Sequence, residues 1–189
     1  MEAKLVIFSA PSGAGKTTIV RAMLDSFQNL EFSISACSRP KRENEVDGQD
    51  YYFLGVEGFK KKIEEDAFLE WEEVYRDHFY GTLKSEVTRI GAKDHYVIFD
   101  VDVYGGLNIK RQFGSKALAI FIMPPSVEAL EDRLRKRSTD TNKNIQKRMD
   151  KARHEISKAD EFDKIIINDE LNDAIDEAKR AVSDFLNNE

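Results

Sequence analysis

One cysteine, Cys37, occurs among 189 residues, so no disulfide can close within the chain. Such usage suits a reducing compartment, and a cytoplasmic location is expected. Cys37 itself reads as a small, partly buried side chain. Histidine is nearly as sparse: His78, His95 and His154 lack metal-ligand spacing and read as surface or packing residues. Long apolar runs are missing too. Leu5 to Phe8 is too short for the hydrophobic segment of a secretion signal, and nothing approaches the length of a membrane span. No membrane partner is therefore expected. Positive charge is not in excess: the formal net charge is −6, which argues against nucleic acid held by bulk electrostatics. Repeats and low-complexity tracts are absent. What the chain does have is 41% hydrophobic residues, enough for the core of one domain with inserted lobes.

Short apolar runs at Leu5 to Ser9, Tyr96 to Phe99, Leu118 to Met123 and Lys164 to Ile167 read as buried parallel strands. Helical stripes follow them: Val20, Met23, Leu24 and Phe27; Leu130 and Leu134; Ile145, Met149, Ala152, Ile156 and Ala159; and Leu171, Ile175, Ala178, Val182 and Phe185. Alternating strands and helices predict an α/β core with helices on both faces. Between the first strand and first helix lies Ala10-Pro11-Ser12-Gly13-Ala14-Gly15-Lys16-Thr17-Thr18. Strand, glycine turn, Lys-Thr and helix together specify a phosphate-binding loop. Gly13 and Gly15 allow the tight turn that aims successive N–H groups at one anion, and the helix adds the positive end of its dipole. Lys16 supplies a mobile charge for the outer phosphates, and the Thr17 hydroxyl a ligand for magnesium. Ala10 stands where such loops usually open with glycine, a departure at the entry turn.

From Glu31 to about Thr82 the rhythm breaks. Extended pieces at Phe32 to Ala36, Tyr51 to Leu54 and Phe68 to Tyr75, with a helix near Phe59 to Glu65, predict a mostly antiparallel inserted lobe. Arg39 and Arg42 are planar forks three residues apart; with the hydroxyls of Tyr51 and Tyr80 they could clamp a monophosphate. A solvated basic loop is the alternative. Glu70, in the apolar stretch Phe68-Leu69-Glu70-Trp71, needs donors. The guanine edge offers two adjacent N–H groups that one carboxylate can accept together, and Thr82 and Ser35 could serve the remaining polar edge. A second break at Arg137 to Asn142, between two charged helices, reads as a lid. From Arg133 to Arg153 there are nine basic and two acidic residues, a local excess of seven positive charges.

Several segments resemble guanylate kinases: Ser9 to Thr17, Ser35 to Tyr51, Phe79-Tyr80-Gly81-Thr82, Phe99-Asp100-Val101-Asp102, Pro124-Pro125-Ser126, Arg133 to Arg137 and Ile167-Asn168-Asp169. The resemblance runs from about residue 4 to residue 187. It implies an α/β, P-loop NTPase-type parallel sheet with helices on both faces, an inserted mixed or antiparallel monophosphate-binding lobe, and a helical lid. The corresponding boundaries are core 1–31, 83–136 and 160–189, lobe 32–82 and lid about 137–159.

The activity implied is transfer of the γ-phosphoryl group of ATP to GMP, and dGMP, with magnesium. Carried over, Ser35, Arg39, Arg42, Tyr51, Glu70, Tyr80, Thr82 and Asp102 form the GMP site. Ala10 to Thr18, Arg133, Arg137 and Asn168 serve ATP, with Asn168 contacting adenine and Arg133 either packing on the donor base or pairing on the surface. Thr17 and Asp100 hold magnesium, partly through water, and Lys16, Arg39, Arg137 and Arg148 are catalytic. Lys143, Lys147 and Lys151 read as a solvated helix face. Departures from the family pattern include Cys37-Ser38, Lys41, Asn44, Tyr104 and Ser138. The competing readings are an inactive family-like module that binds peptides in the lobe, and a kinase of another phosphorylated acceptor. The pattern does not separate a monomer from a homo-oligomer.

Overall fold

The computed structural model describes residues 4–137 and 142–188, without the side chains of 137, 142 and 143. Its centre is a five-stranded, all-parallel sheet. β1 (Leu5–Ser9) lies in the middle, between β7 (Tyr96–Asp100) and β8 (Ala117–Met123). β2 (Leu30–Phe32) flanks β7 at one edge, and β9 (Lys164–Ile167) flanks β8 at the other. Side chains alternate across a strand, and both faces are covered, so each strand is apolar throughout. Val6, Phe8, Ile98, Ile120 and Ile166 meet α1 (Lys16–Ser26) and α7 (Leu171–Asn187) on one face. Leu5, Ile7, Val97, Phe99 and Phe121 meet α3 (Lys84–Gly91) and α4 (Val103–Phe113) on the other. In α7 the buried stripe runs through Ala174, Ala178 and Val182, while Leu171 at its start stays exposed.

The inserted lobe is a second sheet of four short strands. β3 (Ala36–Cys37) runs parallel to β4 (Tyr52–Phe53) and antiparallel to β6 (His78–Leu83), which forms a hairpin with β5 (Phe68–Tyr75). α2 (Gly55–Glu64) closes this sheet with Phe59. Its ring stacks on Phe68 at 4.4 Å and on Phe79 at 5.4 Å, giving the lobe a small aromatic core of its own.

One expectation is corrected here. The extended piece Phe32 to Ala36 is not a single lobe strand. Leu30–Phe32 is the edge strand of the central sheet, and 33–35 carry the chain across to the lobe.

α5 (Val127–Arg137) and α6 (Asn142–Ile156) pair through Leu130, Leu134, Ile145, Met149 and Ala152. The break expected to form a lid falls on residues mostly outside the described ones.

Candidate functional site

The carboxyl ends of β1 and β7 adjoin, with Phe8 in register with Asp100. In an open α/β sheet this end of the strands faces the ligand crevice. The loop from Ala10 to Gly15 leaves β1 here. Gly13 and Gly15 take φ of +96° and +95°, and Gly15 caps α1. Ala10 is not among the residues with positive φ, so the missing glycine does not disturb the entry turn. A Cβ on Gly15 would collide with the Asn168 amide. That amide donates to the Ala14 carbonyl at 2.7 Å, and Asn168 is only 4% exposed. The Asn168 backbone in turn accepts from Arg133 Nη2 at 3.0 Å. Asn168 and Arg133 therefore brace the loop from behind. The Asn168 amide N–H is thus committed to the Ala14 carbonyl, and one Arg133 N–H to the Asn168 backbone.

Lys16 Nζ lies 2.6 Å from Asp100 Oδ1 and 2.5 Å from the Val101 carbonyl, while Thr17 Oγ1 donates to Asp100 Oδ2 at 3.2 Å. Arg148 reaches from α6 to the Ser12 hydroxyl at 2.8 Å. The Arg137 side chain and Ser138 lie outside the described residues. Thr17 and Asp100 offer oxygen donors only, next to the Lys16 ammonium. No cluster of three acidic, His or Cys ligands occurs among the described residues. Such a sparse oxygen set fits Mg²⁺, which keeps waters and takes phosphate oxygens rather than a protein cage.

Loop, core and lobe enclose one cleft of about 540 Å³. Ser35, Tyr51, Glu70 and Tyr80 line it from the lobe, and Asp100 and Asp102 from the core. Glu70 pairs with Thr82 across the hairpin and accepts its hydroxyl at 2.6 Å. Burial pushes the Glu70 carboxyl up to about 7, and the Asp102 charge adds to the rise. α4 passes so close that a Cβ on Gly105 would stand 2.8 Å from Glu70 Oε2. Asp102 caps α4 by accepting from the Gly105 N–H at 2.8 Å. Tyr51 and Tyr80 meet edge to face at 6.0 Å.

Arg39 lies behind these rings, 5.1 Å over Tyr51, and forks both oxygens of Glu45 at 2.6 Å. The Arg42 side chain is exposed, and its backbone N–H also donates to Glu45. Glu45, missed in the sequence, thus organises the arginine segment. Its carboxyl is held down at about 2, chiefly by the Arg39 hydrogen bond.

Three further charged residues line the cleft unforeseen: Glu72, Lys151 and Glu155. Lys151 was expected on a solvated face. It shares the cleft face of α6 with Arg148 and Glu155, at steps of three and four. Glu72 follows Glu70 by two, the period that returns a strand to the same face. Both spacings were visible in the sequence. The Glu72 carboxyl is raised to about 7, first by its hydrogen bond to Asp102 and then by burial. Glu155 rises to about 7 through burial. No described helix is long and apolar enough to cross a membrane.

The chain matches the family model described as guanylate kinase over residues 2–185. Among curated proteins, the guanylate kinase of Porphyromonas gingivalis is 51% identical over 184 residues, covering 97% of this chain and 98% of that one. The guanylate kinase of Bacteroides thetaiotaomicron is 49% identical over 189 residues, covering 100% and 93%. A crystal structure of guanylate kinase from Anaplasma phagocytophilum superposes with a TM-score of 0.73 at 24% identity, over 96% of this chain and 85% of that one, a likeness of fold. With the loop, the lobe and the acidic hairpin in one cleft, and relatives matching end to end, the chain belongs to the guanylate kinase family.

Proposed function

We propose that this protein transfers the γ-phosphoryl group of ATP to GMP, and by the same base contacts to dGMP, giving ADP and a guanosine diphosphate in the cytoplasm. The observation that carries the reading is Glu70. A carboxylate half-buried beside Thr82, in the same cleft as the loop lysine, matches the paired N1 and N2 donors of guanine. Adenine lacks that pair and would leave the half-buried Glu70 with the Thr82 hydroxyl alone, a penalty that discriminates against it.

The acceptor phosphate belongs beside Ser35, Tyr51 and Tyr80, with Arg39 and Arg42 behind. Its second pKa is about 6, so it is mostly dianionic at neutral pH and no strong general base is required. The difficulty is bringing two polyanions together. Lys16 can exchange Asp100 for the outer phosphates of ATP, while Arg148, placed at Ser12, would meet the transferred group, a role that the family resemblance also gives to Arg137. Thr17, and Asp100 through water, would hold Mg²⁺, which when bound supplies neutralisation of charge on the donor phosphates. Glu72 and Glu155 retain protons near neutrality, which spares the incoming anions part of the cleft's negative charge. The lobe 32–82 and lid about 137–159 would close over the core and exclude water.

A coupled assay of ATP against GMP, dGMP, AMP, UMP and CMP tests this. GMP and dGMP should exceed AMP in kcat/KM by at least about a thousandfold. Equal use of AMP would remove the guanine reading.

A further inference from the structure

The chain crosses between the central sheet and the lobe twice. It leaves β2 through 33–35 and returns from β6 directly into α3 at Leu83 and Lys84. Glu86 stands in the first turn of α3, next to the return crossing, and is 1% exposed. A carboxylate so buried is tolerated only when its lone pairs are filled. Here they are. Oε1 accepts from the Tyr52 hydroxyl at 2.9 Å and from Arg89 Nε at 2.9 Å. Oε2 accepts from the Ile34 backbone N–H at 2.8 Å and from Arg89 Nη2 at 2.9 Å. Burial alone would raise the carboxyl; the Arg89 fork, the Ile34 N–H and the Tyr52 hydroxyl hold it below its usual value.

The donors come from separate places. Ile34 lies in the outgoing crossing, beside Ser35. Tyr52 lies in lobe strand β4, beside Tyr51, and its N–H donates to the Ser35 carbonyl at 2.9 Å. Arg89 lies one turn on in α3 and continues to Glu31 of β2, which Lys93 and His95 also meet. One carboxylate therefore ties both crossings to each other, to the edge of the core sheet, and to the neighbours of two residues assigned to the acceptor's phosphate.

We propose that Glu86 is a positioning residue: it pins the hinge at which the lobe meets the core and so fixes Ser35 and Tyr51 at the distance from the donor loop that transfer requires. This rests on the placement of the acceptor phosphate beside Ser35, Arg39 and Tyr51. Glu86 touches neither nucleotide and acts through Ile34 and Tyr52. Glu86→Gln turns an amide NH₂ onto N–H or O–H donors and breaks the set on one side.

Steady-state kinetics on purified variants test it. Glu86→Gln should raise KM for GMP about tenfold, because small misplacement of a reactant is costly, and leave KM for ATP within about twofold. Tyr52→Phe keeps the ring and loses one hydroxyl, and should raise KM for GMP roughly two- to threefold. It carries the test if Glu86→Gln does not fold. A lower melting temperature with KM for GMP unchanged would mean a merely structural role and overturn the proposal. Arg39→Ala, measured alongside, separates the two layers. If it raises KM for GMP while Glu86→Gln and Tyr52→Phe do not, the hinge role fails alone. If all three leave KM unchanged, the phosphate clamp fails with it.

Discussion

In the proposed function Glu70 recognises the base with one side chain, and its environment makes that role depend on protons. Burial holds the carboxyl near 7, but only the ionised form accepts two N–H groups together. KM for GMP should therefore rise as pH falls from 8 to 6, with KM for ATP nearly level over the same range. Glu70→Gln replaces one acceptor by a donor and should raise KM for GMP by about 10- to 100-fold, corresponding to roughly 1.5–3 kcal/mol for a hydrogen bond to a charged group. An equal change in both Michaelis constants would remove Glu70 from base recognition. Asn168 makes a different case at the same scale. Its amide is buried on the Ala14 carbonyl, so Asn168→Ala should cost about 1–3 kcal/mol in denaturant unfolding. It should also raise KM for ATP more than KM for GMP, since the loop loses its brace.

Among the elements, the fully buried strands were the most legible. β1 and β9 stand where their apolar runs predict, because a strand covered on both faces is apolar without interruption. β2 was not legible as a strand: of its three residues only Phe32 falls in an expected extended piece, one assigned to the lobe, and only pairing with β7 makes Leu30–Phe32 an edge of the core sheet. The loop was readable residue by residue, since its chemistry is local. Asn168 behind Ala14, Glu45 between the arginines and Glu86 under Ile34 were not read as such. Except for Glu45, these partners lie far apart in sequence and are joined only by topology. The lobe is the element most exposed to single changes, because its core is so small. Phe59→Ala removes the ring on which Phe68 and Phe79 stack and should cost about 3–5 kcal/mol. Hydrogen exchange should then show the lobe strands opening before the central sheet, and GMP affinity should fall before ATP affinity does.

Across the whole molecule, the cleft gathers acids that the fold keeps partly protonated. Glu70, Glu72 and Glu155 titrate near 7 in the folded chain, above their value of 4.5 when unfolded. For such groups stability is fully present below about 4.5 and is lost as pH rises through about 7. Glu31 is held down at about 2, so its contribution is already complete above 4.5 and does not mask the trend. The melting temperature of the ligand-free protein should accordingly fall between pH 5 and pH 8. GMP, by giving donors to ionised Glu70, should recover part of the loss at the upper end; a melting temperature that climbs steadily over this range would contradict the burial of these carboxyls.

The proposed arrangement of loop, lobe and lid around one cleft is tested most directly by a crystal structure with GMP and a non-hydrolysable ATP analogue bound together. The Glu70 carboxylate should accept guanine N1 and N2, with the GMP phosphate against Tyr51, Tyr80 and Arg39 and the analogue's phosphates on Lys16. A guanine ring seated away from Glu70, or a monophosphate bound elsewhere than beside those residues, would contradict it.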